Sequence, residues 1–138
     1  MSTETPTTEE RTGTKKNDFE FTDDEVSDVD LTEFQVHCLF AIRGFETGRY
    51  TRTRGTKGAY GLDIKRTLER DEWYGEEINH GRLYPNLDGL VDKGLLEKAE
   101  LDKRTNTYDL TEAGSKLIAR TLQRYIGCFK GDAPDEGR

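Results

Sequence analysis

The sequence of 138 residues lacks several features on which whole classes of protein depend. It has no run of about 18 apolar residues, so we expect no membrane span, and its polar start lacks the apolar core of a signal peptide. Its two cysteines, Cys38 and Cys128, are too few for a disulfide framework and suit a reducing interior. We therefore expect a soluble, cytoplasmic protein with no membrane partner.

Apolar residues are also scarce, at 32% of the chain against 36% charged residues. Average globular proteins are closer to half apolar, so either part of this chain is unfolded or a second subunit completes the core. Residues 1–30 hold ten acidic and three basic side chains, which accounts for the net charge of −7. We predict a mostly disordered acidic tail over 1–30 and a flexible end over 131–138.

The overall negative charge hides a basic segment. Residues 43–70 hold eight basic and three acidic side chains, and cationic side chains are what a DNA backbone requires. The glycines nearby match neither of the common nucleotide-binding patterns, so DNA backbone contact is the favoured function and a disordered basic loop the alternative. The candidate residues are Arg49, Arg52, Arg54, Lys57, Lys65 and Arg66.

Apolar periodicity predicts three helices in the first part of the chain. The first helix begins after Thr32, a second and shorter one contains Ile64, and a third opens near Asn79. Pro85 complicates the third helix because proline removes a backbone hydrogen bond. Either the regular helix starts a turn after Asn79, or it is kinked.

Two extended runs follow, over 95–101 and 107–110, with a polar turn between them that predicts a β-hairpin. Thr111 then caps a last helix. This order predicts a mainly α fold with a small β-hairpin (α+β): a winged helix-turn-helix DNA-binding domain over 31–110, followed by a dimerisation helix over 111–130.

The last helix has an apolar face broader than the core of a small domain can cover. We therefore expect a homodimer that uses this helix as its interface. The candidate interface residues are Leu117, Ile118, Leu122, Tyr125, Ile126 and Phe129.

The third helix carries side chains suited to reading bases. Arg82 and Asn86 lie four residues apart, hence on one side, and Arg with guanine and Asn with adenine are the bidentate pairs that fit the major groove. Ordinary solvated positions are the alternative. Asn79 and His80 open the helix, where a phosphate is favoured, although a capping Asn and a surface His explain them equally well.

The turn of the hairpin holds Lys103, Arg104 and Asn106, which in a wing would reach a phosphate row or the minor groove. Polar residues are also common in any hairpin turn, so contact with DNA is one of two explanations.

Catalysis has little support in the sequence. His37 and Cys38 are neighbours on a predicted helix, so their side chains point to different faces, and Cys38 belongs to the apolar stripe. Cys128 raises the hypothesis of an oxidant-sensitive contact across a dimer, with simple packing as the alternative. We expect no enzyme, no metal and no cofactor; a winged helix that binds another protein is the alternative to DNA binding.

From about residue 59 onward the chain resembles the PadR family of winged-helix regulators. The matching blocks are YGLDI at 60–64, GRLYPNL at 81–87, GLL at 94–96, DKRTNTY at 102–108 and LTEAG at 110–114. The resemblance implies a homodimeric transcriptional regulator on a pseudo-palindromic operator in double-stranded DNA. It adds Tyr84 to the recognition-helix candidates, which are then Asn79, His80, Arg82, Tyr84 and Asn86.

The acidic composition resembles that of haloarchaeal proteins, and the whole chain is similar to a haloarchaeal family member that responds to reactive oxygen species. This resemblance implies a halophilic, archaeal source and a role in the oxidative stress response. Only about one helix follows the wing here, whereas many family members add a long helical dimerisation domain. The ligand pockets of those longer members therefore cannot be carried over, and a small-molecule ligand stays unknown.

Overall fold

A computed structural model describes residues 30–51, 58–102 and 105–133, and of Asp102 it describes the backbone alone. The predicted acidic tail, apart from Asp30, and residues 134–138 lie outside the described residues, as do five of the basic candidates. Those five are Arg52, Arg54, Lys57, Lys103 and Arg104.

Four helices and a small antiparallel sheet make up the described chain. The elements are α1 (Glu33–Thr47), β1 (Ala59–Tyr60), α2 (Gly61–Leu68), α3 (His80–Asp92), β2 (Leu96–Asp102), β3 (Thr105–Leu110) and α4 (Glu112–Lys130). The strand order is β1-β3-β2. The predicted hairpin is present, and the winged-helix α+β class is confirmed.

The short strand β1 was not predicted. It pairs with β3 so that Ala59 lies opposite Tyr108, while Lys98 of β2 lies opposite the same tyrosine on the other side. Tyr108 is therefore the central residue of the sheet and is 1% exposed. Burial raises the pKa of its hydroxyl to about 12. Strand β1 leads directly into α2 and so fixes the start of that helix against the wing.

Side-chain caps define the starts of the first and last helices. The hydroxyl of Thr32 accepts a hydrogen bond from the Gln35 backbone N–H at 3.2 Å, and the Gln35 side chain accepts one from the Thr32 N–H at 3.1 Å. Thr111 accepts from the Gly114 N–H at 3.0 Å in the same way. Each cap satisfies backbone donors that a helix leaves unpaired at its start, so both predicted starts are confirmed.

The third helix begins where its cap predicts. The side chain of Asn79 accepts a hydrogen bond from the Gly81 N–H at 2.8 Å, and the helix runs without interruption over His80–Asp92. Pro85 lies inside it. The alternative of a start one turn later is therefore wrong.

Helix α1 forms the centre of the core, where it packs against α2, α3, α4 and β3. The most completely buried apolar side chains come from α1, α2, α3, β2, β3 and the connections between them: Cys38, Leu39, Ile42, Ile64, Leu68, Ile78, Leu83, Leu87, Leu90, Leu95, Leu96 and Tyr108. The apolar faces inferred from periodicity thus meet in one core. Across the described ranges, no helix combines the length and the apolar character that crossing a bilayer would need.

Candidate nucleic-acid interface

The buried side of α3 determines which of its residues can meet a ligand. Leu83, Leu87 and Leu90 are fully buried and face the core. A helix turns by about 100° per residue, so Gly81 and Pro85 lie on the opposite, exposed side. These residues add little bulk, and a helix with such a surface can approach a duplex closely.

Arg82 and Asn86 lie on one flank of this exposed side, as predicted. Arg82 is exposed, and its guanidinium carbon lies 4.0 Å from the ring centroid of Phe34 and 5.2 Å from that of Tyr74. The Asn86 side-chain amide donates to the Arg82 backbone carbonyl at 2.7 Å. Of the two, Arg82 retains its hydrogen-bonding groups at the surface, while one donor of Asn86 is used within the helix.

The other flank carries a stacked pair. The rings of His80 and Tyr84 lie 5.6 Å apart with an interplanar angle of 9°. Tyr84 leans over Gly61, where an added Cβ atom would come within 2.5 Å of the tyrosine ring. Burial raises the pKa of the Tyr84 hydroxyl, which therefore stays protonated at neutral pH and can donate a hydrogen bond.

A cleft of about 360 Å³ lies between the start of α2, Tyr84 of α3 and the first residues of β3. Three predicted site residues from three elements line it, namely Arg66, Tyr84 and Asn106. Arg66 is exposed, whereas the side-chain oxygen of Asn106 is buried and has no hydrogen-bond partner among the described residues. Asn106 lies within β3 opposite Glu100 of β2, next to the turn of the hairpin.

Lys65, one of the predicted backbone-contact residues, forms an ion pair within its own chain. Its ammonium group pairs with the Glu69 carboxylate at 2.7 Å, and its side chain is 12% exposed. The same carboxylate accepts a hydrogen bond from the Ile78 backbone N–H at 2.9 Å, and these contacts lower the pKa of Glu69. Lys65 thus braces the connection between α2 and α3 and is poorly placed to meet a phosphate.

Arg49 takes part in a polar cluster that the sequence did not reveal. The hydroxyl of Tyr50 donates to the Glu72 carboxylate and accepts hydrogen bonds from Trp73 Nε1 at 2.9 Å and Arg49 Nε at 3.3 Å. Arg49 also pairs with Glu72 at 3.4 Å, yet 64% of its side chain stays exposed. The cluster ties the start of the basic segment to the connection before α3.

The wing is attached to α3 by an ion pair. The Lys98 ammonium of β2 lies 3.0 Å from the Asp88 carboxylate of α3. This contact holds the hairpin beside the exposed side of α3, the arrangement in which a wing and a recognition helix meet neighbouring grooves.

The last helix divides into a buried and an exposed half. Leu117 and Ile118 are 6% and 4% exposed, because they pack in the core of their own chain. Both residues are predicted at a dimer interface, and their packing within the chain leaves little of either side chain for a partner to contact. The other candidates are exposed: Leu122 by 46%, Tyr125 by 58%, Ile126 by 43% and Phe129 by 94%.

The two thiols have opposite surroundings. Cys38 is fully buried, and burial raises its pKa to about 12, whereas Cys128 is exposed. Within the part of the chain that the structure describes, no group of three or more His, Cys, Asp or Glu side chains could hold a metal ion.

A helix pair, an exposed third helix and an adjoining hairpin define a winged-helix protein. The profile of the transcriptional regulator PadR-like family matches residues 54–120. A search of curated proteins gives no significant match. Solved structures of RosR from H. salinarum, in contrast, match over most of the chain.

One of these, described as RosR grown from NaBr, is 50% identical and covers 75% of this chain and 82% of its own, with a TM-score of 0.61. The structure of a complex named RosR-S1 is 50% identical, covers 72% of this chain and 77% of its own, and has a TM-score of 0.59. A complex named RosR-S4 is 51% identical, covers 75% of this chain and 78% of its own, and has a TM-score of 0.60. The chain belongs to the PadR-like family and is a transcriptional regulator, not an enzyme.

Proposed function

We propose that this protein is a cytoplasmic, homodimeric regulator that binds a pseudo-palindromic operator in double-stranded DNA in a sequence-specific manner. The observation that carries the proposal is the exposed side of α3, which has small residues along its middle, Arg82 on one flank and the His80–Tyr84 pair on the other. Small central residues permit close approach to a major groove, and the flanks supply donors for base edges and phosphates.

We propose that a second copy of this chain packs against the exposed apolar face of α4. Leu122, Tyr125, Ile126 and Phe129 recur at helical spacing along one side of the helix, and a monomer gains nothing from exposing them to water. To read two half-sites one turn of the double helix apart, such a pair must hold its two α3 helices about 34–36 Å from each other. The operator would then consist of two related half-sites.

We further propose that the regulator acts in the oxidative stress response of a halophilic archaeon. The identity of about half with RosR supports this role, as does the acidic composition. Mapping the genomic DNA bound by the protein with and without oxidant tests this role. Occupancy that does not change with the oxidant would contradict the role in oxidative stress but would leave the DNA-binding proposal intact.

DNA binding itself is tested with the full chain and duplexes selected by it from a random pool. We expect Arg82→Ala to weaken binding to the selected duplex by about 1–3 kcal/mol and to relax base preference. Arg104→Ala, a wing variant, should instead weaken binding to selected and scrambled duplexes alike. Equal losses on both duplexes for Arg82→Ala would remove its role in reading bases, and failure to bind any duplex would favour a protein partner.

A further inference from the structure

The side chain of Arg82 lies on two aromatic rings that come from different parts of the chain. Phe34 stands in the first turn of α1, Tyr74 stands in the connection before α3, and their ring centroids are 5.7 Å apart. The guanidinium carbon is 4.0 Å from the first centroid and 5.2 Å from the second. We call these two rings the aromatic shelf.

The aromatic shelf is itself held in place. The Tyr74 hydroxyl is hydrogen-bonded to His37 Nδ1 at 2.7 Å, and the Tyr74 backbone N–H donates to the Leu68 carbonyl at 3.0 Å. Phe34 is 5% exposed. The surface on which Arg82 rests therefore belongs to the folded core and is present before any DNA arrives.

Arg82 differs from Arg49 and Lys65 in the kind of partner it has. Arg49 pairs with Glu72 and Lys65 with Glu69, whereas among the described residues no carboxylate pairs with Arg82. A carboxylate occupies the N–H donors of a guanidinium, but an aromatic ring contacts only its face. Among the described residues no side chain occupies the donor edge of Arg82, and that edge is what guanine recognition uses.

We propose that Phe34 and Tyr74 are positioning residues for sequence recognition. They hold the Arg82 guanidinium in one orientation with its donor edge outward, and so reduce the loss of side-chain freedom that binding would otherwise require. Neither ring has to touch DNA. This inference rests on the proposed role of Arg82 in reading bases, and it predicts that removing a ring lowers base preference.

The test compares ring removal with ring retention. Tyr74→Leu removes one ring, while the matched variant Tyr74→Phe keeps the ring and removes only the hydroxyl. We expect Tyr74→Leu to weaken binding to the selected duplex by about two- to fivefold and to leave binding to a scrambled duplex unchanged. Tyr74→Phe keeps the ring and its backbone anchor to Leu68 but loses the bond to His37, so its ratio of the two affinities should stay closer to the wild-type ratio than that of Tyr74→Leu. If the ratio of affinities for the selected and scrambled duplexes is the same in Tyr74→Leu and Tyr74→Phe, the proposal is overturned.

A double variant separates this inference from the proposed function. In the Arg82→Ala background, Tyr74→Leu should lower the preference no further, because the shelf acts through Arg82. If Arg82→Ala alone leaves the preference unchanged, the reading role fails. If Arg82→Ala lowers the base preference while Tyr74→Leu and Phe34→Leu do not, the positioning role of the aromatic shelf is rejected. The role of Arg82 in reading bases is then retained.

A measurement on the unaltered chain guards against variants that fold poorly. Protons of a guanidinium stacked on aromatic rings are shifted upfield by the ring currents. We expect the Arg82 side-chain signals of the free protein to show this shift in NMR spectra, and a position typical of a solvated arginine would overturn the proposal.

Discussion

The backbone carbonyl oxygen of Leu95 fills the space that a Cβ atom at Gly114 would occupy. The same carbonyl accepts a hydrogen bond from the Thr111 backbone N–H at 3.1 Å, and the Thr111 hydroxyl donates to the Gly94 carbonyl at 2.7 Å. The start of α4 is thereby joined to the turn that follows α3. Backbone atoms cannot move aside as a side chain can, so glycine is required at position 114.

Gly114→Ala should therefore destabilise the protein by about 1–3 kcal/mol, because the new methyl group overlaps with a fixed backbone oxygen. Gly127→Ala in the same helix is the matched control, since its nearest contact, Asp132 O, would be 3.9 Å away. Helix propensity predicts that this control gains roughly 0.5–1 kcal/mol. Urea unfolding of both variants measures the difference, and similar effects at the two positions would contradict the packing argument.

The two thiols should react with a disulfide reagent at very different rates. With a pKa of about 12, Cys38 is ionised in only about one molecule in ten thousand at pH 8, and it is also buried, whereas Cys128 is exposed. We expect one thiol per chain to react quickly in the folded protein and both to react in denaturant. Cys128→Ser should abolish the fast phase; a fast phase that survives this substitution would show that Cys38 is accessible.

A charge within the exposed face of α4 should separate the subunits. Phe129→Glu places a carboxylate among Leu122, Tyr125 and Ile126, where burial in a dimer would cost its hydration. We expect light scattering to show a dimer for the wild type and a monomer for the variant. Gln123→Glu adds the same charge on another side of the helix and should remain dimeric. A monomeric wild type would reject the proposed interface.

The hydrogen bond from Tyr50 is the main cause that lowers the pKa of Glu72, followed by the charges of Arg49 and Arg70. Because the pKa of Glu72 is lower in the folded protein than its ordinary value of 4.5, the ionised carboxylate stabilises the folded state at any pH above that ordinary value. This stabilisation is lost as the pH falls through the pKa of the folded state. Glu72→Gln should therefore lower the Tm at pH 7 and differ less from wild type near pH 3. Glu77→Gln, at an exposed position, is the control and should track the wild type at both pH values.

Some of this architecture could be predicted because the responsible interactions are local. Thr32, Asn79 and Thr111 cap the first turns of their own helices through residues two or three positions away, so their signal is contained in a short stretch of chain. The two-residue strand β1 has no such signal, because it exists only through its pairing with β3. Its omission from the sequence-based prediction follows from its length.

Periodicity along the chain is enough to assign the apolar stripes of the helices and to place Arg82 and Asn86 on one side of α3, since both depend on the fixed rotation per residue. Periodicity does not show which other element packs on an apolar face, or which residue pairs with a charged side chain. The burial of Leu117, the pairing of Lys65 with Glu69 beside Ile78 and the stacking of Arg82 on Phe34 all depend on contacts with other elements. Those contacts form only when distant segments pack together, and that packing distinguishes a basic residue free to meet DNA from one that braces the fold.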